Sequence, residues 1–600
     1  MSGKDCSQAP TEFERSVTQE ALQLADGSSP ADTANLTKVL RFFGVPYRSM
    51  TADQFLTGRP SGSRSKLLCT AGAFLHLITR LEKTSAADRF LEEHLHSVFV
   101  YGANDAGALT RLARILACDD DVGIQELEQC GSDIVVSDAM DDFCGVMAGV
   151  RVATPRTNLS GKFALGITSR NVLNVISLGD GSAFLKFEYK GMPVFLSTSR
   201  AIIDLDAELK SQNFDVRDHF LSAVPLVLYI KWAFAETCWN APETNACLVI
   251  DDPVLKRRHG FVEFRELLSL MKQYKFSTNI AFIPWNWRRS TPEITRLFTE
   301  NPQHYSVSVH GCDHIRAEFG SSDRQRLYWK TQQALERMNA HQSMTGIRHD
   351  PVMVFPQGIF SEAAMSALKH SGLIAAVNSD VISSDSQPRA VTISELWDIA
   401  VMGYSDFPIF TRRYPWEGIA NFAFDVMLGK PAIVLIHHDY CSDHCAGLID
   451  FIKGLNALKC PLTWNSLGEV VRSSCRQREV SPDVIELEMY GTELRIKNRS
   501  GRRKRCLIRR RESEPSAIKE VRVGSQETVW NFQDGHIDFE IELKPGEDRM
   551  IAIRFHELDG NGQCEDTVSY RAKAMLRRYL CELRDNYITT TKLRFLGSVK

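Results

Sequence analysis

The chain has no apolar run approaching the ~20 residues that a membrane-crossing helix requires. Its most apolar stretch, Leu221–Ile230, covers about ten residues and stops at Lys231. The N-terminus, MSGKDCSQAPTEFERSVTQE, lacks a basic start followed by an apolar core, so no secretory signal is expected. Charge of one sign is also missing. The 71 Lys and Arg against 74 Asp and Glu leave a formal net charge of −3, which excludes a global pull toward nucleic acid or acidic membranes. The 15 cysteines are odd in number and scattered, unlike a disulfide framework. These absences predict a cytoplasmic protein with no transmembrane segment and no nucleic-acid partner. They leave the oligomeric state open, a homo-oligomer included.

At 600 residues the chain exceeds what one hydrophobic core fills, since single cores stop growing at roughly 250–300 residues. Several domains are expected. Residues 1–35 are rich in Ser, Thr, Asp, Ala and Gln without apolar periodicity, which predicts a mobile arm. Over residues 36–205, LTKVLRFFGVPYRSM has helical spacing, HSVFVYG reads as a buried strand, and VLNVISLGDGSAFLKFEYKGMPVFLSTS alternates with period two. An α/β layer domain follows from that pattern. Residues 206–245 read as a helical connection.

Between residues 246 and 475 the apolar runs CLVID, TNIAFIP, YSVSVH, VMVFP, IAAVNS and AIVLIHH alternate with amphipathic helical stretches. This rhythm predicts a parallel sheet, closed as a barrel or doubly wound, with its chemistry at the strand C-termini. Residues 476–556 switch to short alternating strands and predict a small antiparallel β-sandwich. Residues 557–600 contain YRAKAMLRRYLCELRDNY, a basic amphipathic helix suited to lie on the barrel, a partner or a membrane surface.

Three strand ends carry residue types suited to metal-assisted hydrolysis. Asp251 and Asp252 end the first run; one carboxylate can bind a metal while its neighbour, pointing elsewhere, takes a proton from water. An Asp-Asp before Pro is also a common turn or helix cap. His310 and His314 follow YSVSV, and on a helix this spacing puts two imidazoles on one face, ~6 Å apart, where they can share a cation. Alone, the pair reads equally as two histidines at a helix start. His437 and His438 end the last run, and either can act as general acid. Two His and one carboxylate suit one divalent transition metal, Zn foremost, with Co, Ni, Fe or Mn as alternatives. Trp285, Asn286 and Trp287 in FIPWNWRRS offer two rings and an amide to a sugar or acyl group, or pack in the core.

The order Asp-Asp, His-x-x-x-His, Phe-Pro-x-Gly and a strand ending in His resembles the polysaccharide deacetylases of carbohydrate esterase family four, over about residues 246–470. The resemblance implies a distorted (β/α) barrel with Asp251 as catalytic base, Asp252, His310 and His314 as metal ligands, and His437 as general acid. It places Pro356, Gly358 and His438 beside the substrate. The expected activity is that of a metal-dependent deacetylase or amidohydrolase acting on a C–N bond of an acylated sugar or glycan. One departure matters: the family's third motif begins with Arg, and this chain has Val354 there. The Arg that steadies the catalytic Asp is therefore absent from its usual place, with Arg348 a nearby replacement. The alternative this departure motivates is a catalytically inactive carbohydrate-binding or glycan-assembly protein on the same barrel.

Other signals carry less. Cys441, Asp443, His444 and Cys445, beside His437 and His438, suggest a second, structural zinc, but one Cys pair falls short of the usual closed spacing. Cys312 as a nucleophile would leave both aspartates unemployed. Tyr101–Gly107 follows a strand yet matches no dinucleotide or phosphate loop. The N-terminal domain faintly resembles amidotransferase-like α/β domains but shows no Cys-His-Glu triad, so its expected role is scaffolding or substrate presentation. The run Arg499–Arg511 is expected to be a solvated hairpin.

Overall fold

A computed structural model describes residues 20–590 apart from 25–28, 58–63, 83–86, 103–105, 120–121, 128–132, 154–161, 168–170, 210 and 559–565. The region expected to form a barrel is a nearly closed parallel sheet. Its strands are Asn245–Asp251, Thr278–Phe282, Tyr305–His310, Asp350–Val354, Ala375–Asn378 and Ile409–Thr411, each paired with the next, and Ala432–Ile436 lies on the other side of the first. Asn245–Asp251, Thr278–Phe282 and Ala432–Ile436 are buried at every position, which is why they read as continuous apolar runs. The gap between the sixth and seventh strands is bridged by Arg413. Its N–H donates to the Ile433 carbonyl at 3.0 Å, and its carbonyl accepts from the Leu435 N–H at 2.8 Å. The outer helices start on side-chain caps: Glu263, Asp323 and Ser361 accept from the N–H groups of Glu266, Arg326 and Ala364.

Ahead of the barrel lies an eleven-stranded mixed sheet. Strands Tyr47–Met50, Ala21–Leu24, Ser65–Thr70, Leu95–Tyr101 and Met192–Ser197 run parallel, and Gly181–Tyr189 and Val172–Leu178 continue it antiparallel. The reading of residues 1–35 as an arm needs correction. Ala21–Leu24 is a fully buried strand and Pro30–Phe42 a helix; residues 1–19 lie outside the described residues. The loop expected after Tyr101 lies partly outside them too, at 103–105.

Helix Val216–Phe234 packs between this sheet and barrel helix Ile419–Leu428. With the turn that follows, Val216–Thr237 is the one helix among the described residues long and apolar enough to cross a membrane, and 67% of its apolar window is buried inside the protein. Among the described residues no cysteine is disulfide-bonded.

Beyond the barrel, a five-stranded and a four-stranded sheet enclose a core that includes Leu487, Ile508, Val521, Ile537 and Ile553. One pair departs from the antiparallel expectation: Val484–Met489 and Lys504–Arg511 are parallel. The strand between them, Glu493–Lys497, belongs to the other sheet, so the chain crosses over and returns in the same direction. The arginine run is not simply solvated. Arg505 pairs across the sheet with Glu540 at 2.6 Å, whereas Arg510 is wholly buried and donates to the Asp406 carbonyl at 2.8 Å, joining sandwich to barrel.

Arg413 also carries the charge that the barrel seam needs, since its guanidinium meets Asp425 at 2.6 Å and Glu417 at 3.0 Å with all three groups largely buried. Removing one member of a buried pair costs about 3–5 kcal/mol, because the other charge is left uncompensated. Arg413→Met should destabilise the barrel by about that amount. Faster hydrogen exchange in 432–436 checks it, and exchange unchanged from wild type would rule out a seam held by this pair.

Candidate active site

Asp251 is the last residue of the first barrel strand, and Asp252 follows it with a left-handed φ of 78°. That conformation is costly for a residue with a Cβ, and here it turns two successive carboxylates to different partners. Asp251 receives both nitrogens of the Arg412 guanidinium, at 2.6 and 2.7 Å. Burial pushes the Asp251 carboxyl up, but Arg412 and His310 outweigh it and hold it below the ordinary carboxylate value. Asp252 instead places Oδ1 3.0 Å from His314 Nε2 and 3.5 Å from His310 Nε2. Burial also works against its charge, and the two histidines hold it well below the usual range.

The histidines arrive differently from the helical expectation. His310 ends the third strand, and residues 311–314 form a bend instead of a helix turn. The bend requires Gly311 at φ 64°, where an added Cβ would lie 2.4 Å from Pro356 Cγ. His314 is itself left-handed, at φ 55°. Glu318 pins this loop by accepting from the N–H groups of Cys312, Asp313 and His314 at 3.0, 2.8 and 3.0 Å. Asp313 anchors it from the other side, on Lys330 at 2.8 Å and Arg337 at 2.6 Å.

Asp252, His310 and His314 offer ligand atoms that all lie within 4.8 Å of one another. Metal–ligand bonds of ~2.0–2.2 Å put neighbouring donors ~3–3.5 Å apart, so little adjustment is needed. Two further observations fit a cation. Asp252 Oδ1 is a buried oxygen with no hydrogen-bond donor. His310 Nδ1 lies 2.9 Å from the Val354 carbonyl, which fixes the proton there and turns the Nε2 lone pair toward Asp252.

The other expected site residues divide. His437 lines the adjoining cavity of about 290 Å³, as does Asn286. His438 does not: its Nε2 faces Asp585 at 3.4 Å, and its ring meets His259 edge-on. Trp285 packs edge-on against Tyr579 and Trp287 lies beneath Arg288, so neither indole is on the cavity wall. Pro356 fills the space over Gly311, and an added Cβ at Gly358 would lie 2.6 Å from Asp380 Oδ2. These two residues shape the loop, and Gln357 between them, at φ 61°, reaches the cavity instead.

Arg348 stands exposed before the fourth strand, at the end of the barrel opposite the site. Arg412 takes the role considered for it. Arg412 follows a strand of only three residues, Ile409–Thr411, too short for its period to be seen in sequence. The second zinc is not formed: among the described residues Cys441 and Cys445 join no convergent ligand group, and His444 is almost fully exposed. Cys312 is buried, and burial with the Asp313 charge pushes its thiol well above the ordinary value, the opposite of an activated nucleophile.

The C-terminal helix, Val568–Leu583, closes the far side of the cavity, which the sequence left open among three placements. Arg578 is buried, with Nη2 3.4 Å from the His314 carbonyl and 3.3 Å from its Nδ1. Glu582 bonds to Lys256 and Arg289, and Asp585 faces His259 at 3.9 Å. Burial brings His259 down to about 4, so it is neutral at neutral pH.

Fold and site together define a β/α barrel protein with a candidate mononuclear two-His, one-carboxylate centre. No family description and no curated protein matches the chain. Among solved structures it is similar to a peptidoglycan deacetylase from Bacillus subtilis, at 13% identity and TM-score 0.24, covering 39% of this chain and 92% of that one. A family 4 carbohydrate esterase from Streptomyces lividans gives 14% and 0.24, over 37% and 92%. A GMP synthase protein from Thermoplasma acidophilum gives 11% and 0.21, over 30% and 83%. Scores this low leave the reading of the site to its own geometry.

Titration of the purified protein with Zn²⁺ or Co²⁺ should show a single tight site that His310→Ala or His314→Ala abolishes and Cys441→Ala leaves intact. Unchanged stoichiometry in both histidine variants would move the metal elsewhere.

Proposed function

We propose that the chain is a metal-dependent hydrolase that removes an acyl group from the nitrogen of an N-acylated sugar or glycan. The observation that carries this reading is the division of labour at one strand end. Asp252 turns a donor-less buried oxygen to two imidazole nitrogens, while Asp251 is held ionised by Arg412. The order of the motifs along the chain supports the substrate class.

A divalent cation held by Asp252, His310 and His314 would polarise the acyl carbonyl and lower the pKa of a water beside it. Asp251 accepts the proton of that attacking water, because an ionised carboxylate retains lone pairs beyond the two that the guanidinium occupies. Arg412 fixes the orientation of Asp251 and keeps it charged. His437, on the cavity wall and stacked with Tyr414 at 6.1 Å between ring centres, gives a proton to the departing amine. The amides of Asn286 and Gln357 line the same cavity and are suited to hydrogen-bond sugar hydroxyls. With Arg412 in place, the missing third-motif Arg no longer argues for a binding protein without catalysis.

Asp251→Asn should retain metal and fold yet lower acetate release from acetylated amino sugars by about 10²- to 10⁴-fold, the range for a lost general base. Arg412→Met and His437→Ala should reduce it in the same direction, and His438→Ala should do less. If wild-type protein loaded with Zn, Co or Ni binds acetylated sugars and releases no acyl group from any of them, the inactive binding protein becomes the correct reading.

A further inference from the structure

The C-terminal helix is amphipathic in the reverse of the usual sense. A surface helix normally buries its apolar stripe and leaves its polar face in water. Here the polar residues point inward. Tyr570 donates to Asp313 at 2.9 Å, Arg578 is buried against His314, Glu582 bonds to Lys256 and Arg289, and Asn586 accepts from the Gly260 N–H at 2.7 Å. The outer side carries Val568, Met575, Leu576, Tyr579, Leu580 and Leu583, exposed by 49% to 85%. At 100° per residue these positions form one continuous stripe.

Charge along the helix is as uneven as polarity. Arg571 and Lys573 are exposed beside the stripe and Arg577 is half-buried next to it, whereas the acids Glu582 and Asp585 are turned into the barrel. Among the described residues from 568 to 588 no acidic side chain is exposed. An apolar ridge flanked only by cations matches an anionic bilayer surface, whose acyl boundary takes the ridge and whose headgroups take the cations. A second copy fits less well, because a two-fold contact through this face would bring the same cations together.

We propose that the outer face of the C-terminal helix docks onto an anionic lipid bilayer. Because the inner face lines the cavity, docking holds the cavity within one helix diameter, about 10–12 Å, of the headgroups. The docking rests on the shape and charge of the helix and not on the hydrolase reading, so either can fail without the other.

The test is flotation of the full-length protein with phosphatidylcholine vesicles, with and without phosphatidylserine. Binding should require phosphatidylserine and weaken with added salt. Leu576→Glu with Leu580→Glu should reduce it by about tenfold or more, with an unchanged circular dichroism spectrum. Lys573→Glu should weaken it less. Absence of wild-type binding to phosphatidylserine vesicles, or undiminished binding by the folded double variant, overturns the proposal. So does a concentration-dependent dimer that the same double substitution dissociates while vesicles go unbound, which would assign the face to a second copy.

Discussion

Two carboxylates in succession at a buried strand end each demand a counter-charge, because an isolated ionised group in the interior costs several kcal/mol. The site is organised around how that demand is met twice over. Asp251 is satisfied by Arg412 from the sixth strand, five strands away around the sheet, and Asp252 by two imidazoles delivered from the third. Neither partner is local in sequence, so the charges are stable only once the sheet has curled far enough to bring the strand ends together. The next residue along, Arg413, bridges the remaining gap through its backbone and pairs with Asp425 through its side chain. Adjacent arginines thus serve the site and the closure of the ring.

The compensation has a conformational cost that is concentrated in the same place. Asp252, His314 and Gln357 all hold positive φ, and each borders the cavity. Such conformations persist only where surrounding contacts over-determine them. For His314 those contacts are visible: Glu318 takes three consecutive N–H groups, and Asp313 is fixed by Lys330 and Arg337. The imidazoles are therefore set by a loop whose every polar turn is answered, which is the preorganisation a ligand cluster needs.

The C-terminal helix extends the same logic outward. Its inner face answers polar groups that the open end of a parallel barrel leaves around its chemistry, including Arg289, Lys256 and the Gly260 N–H. Satisfying them takes the polar side of the helix, and geometry then sends the apolar side outward. The inversion of the helix is thus a consequence of what it covers.

The sequence by itself determined the β-then-α rhythm, the strands long enough to show continuous burial, and the strand-end residues Asp251, Asp252, His310, His314 and His437. Those features depend on local periodicity and on residue chemistry, which a linear reading contains. Only the tertiary structure decided that Arg412 and not Arg348 meets Asp251, that a glycine-dependent bend and not a helix presents the two histidines, and that His438 turns away toward Asp585. It also decided that Ala21–Leu24 is a buried strand and that the basic tail covers the cavity. In each case the deciding contact joins residues distant in sequence or rests on a segment of three or four residues. A periodic pattern needs more residues than that to appear, and a buried charge finds its partner only when the chain has folded around both.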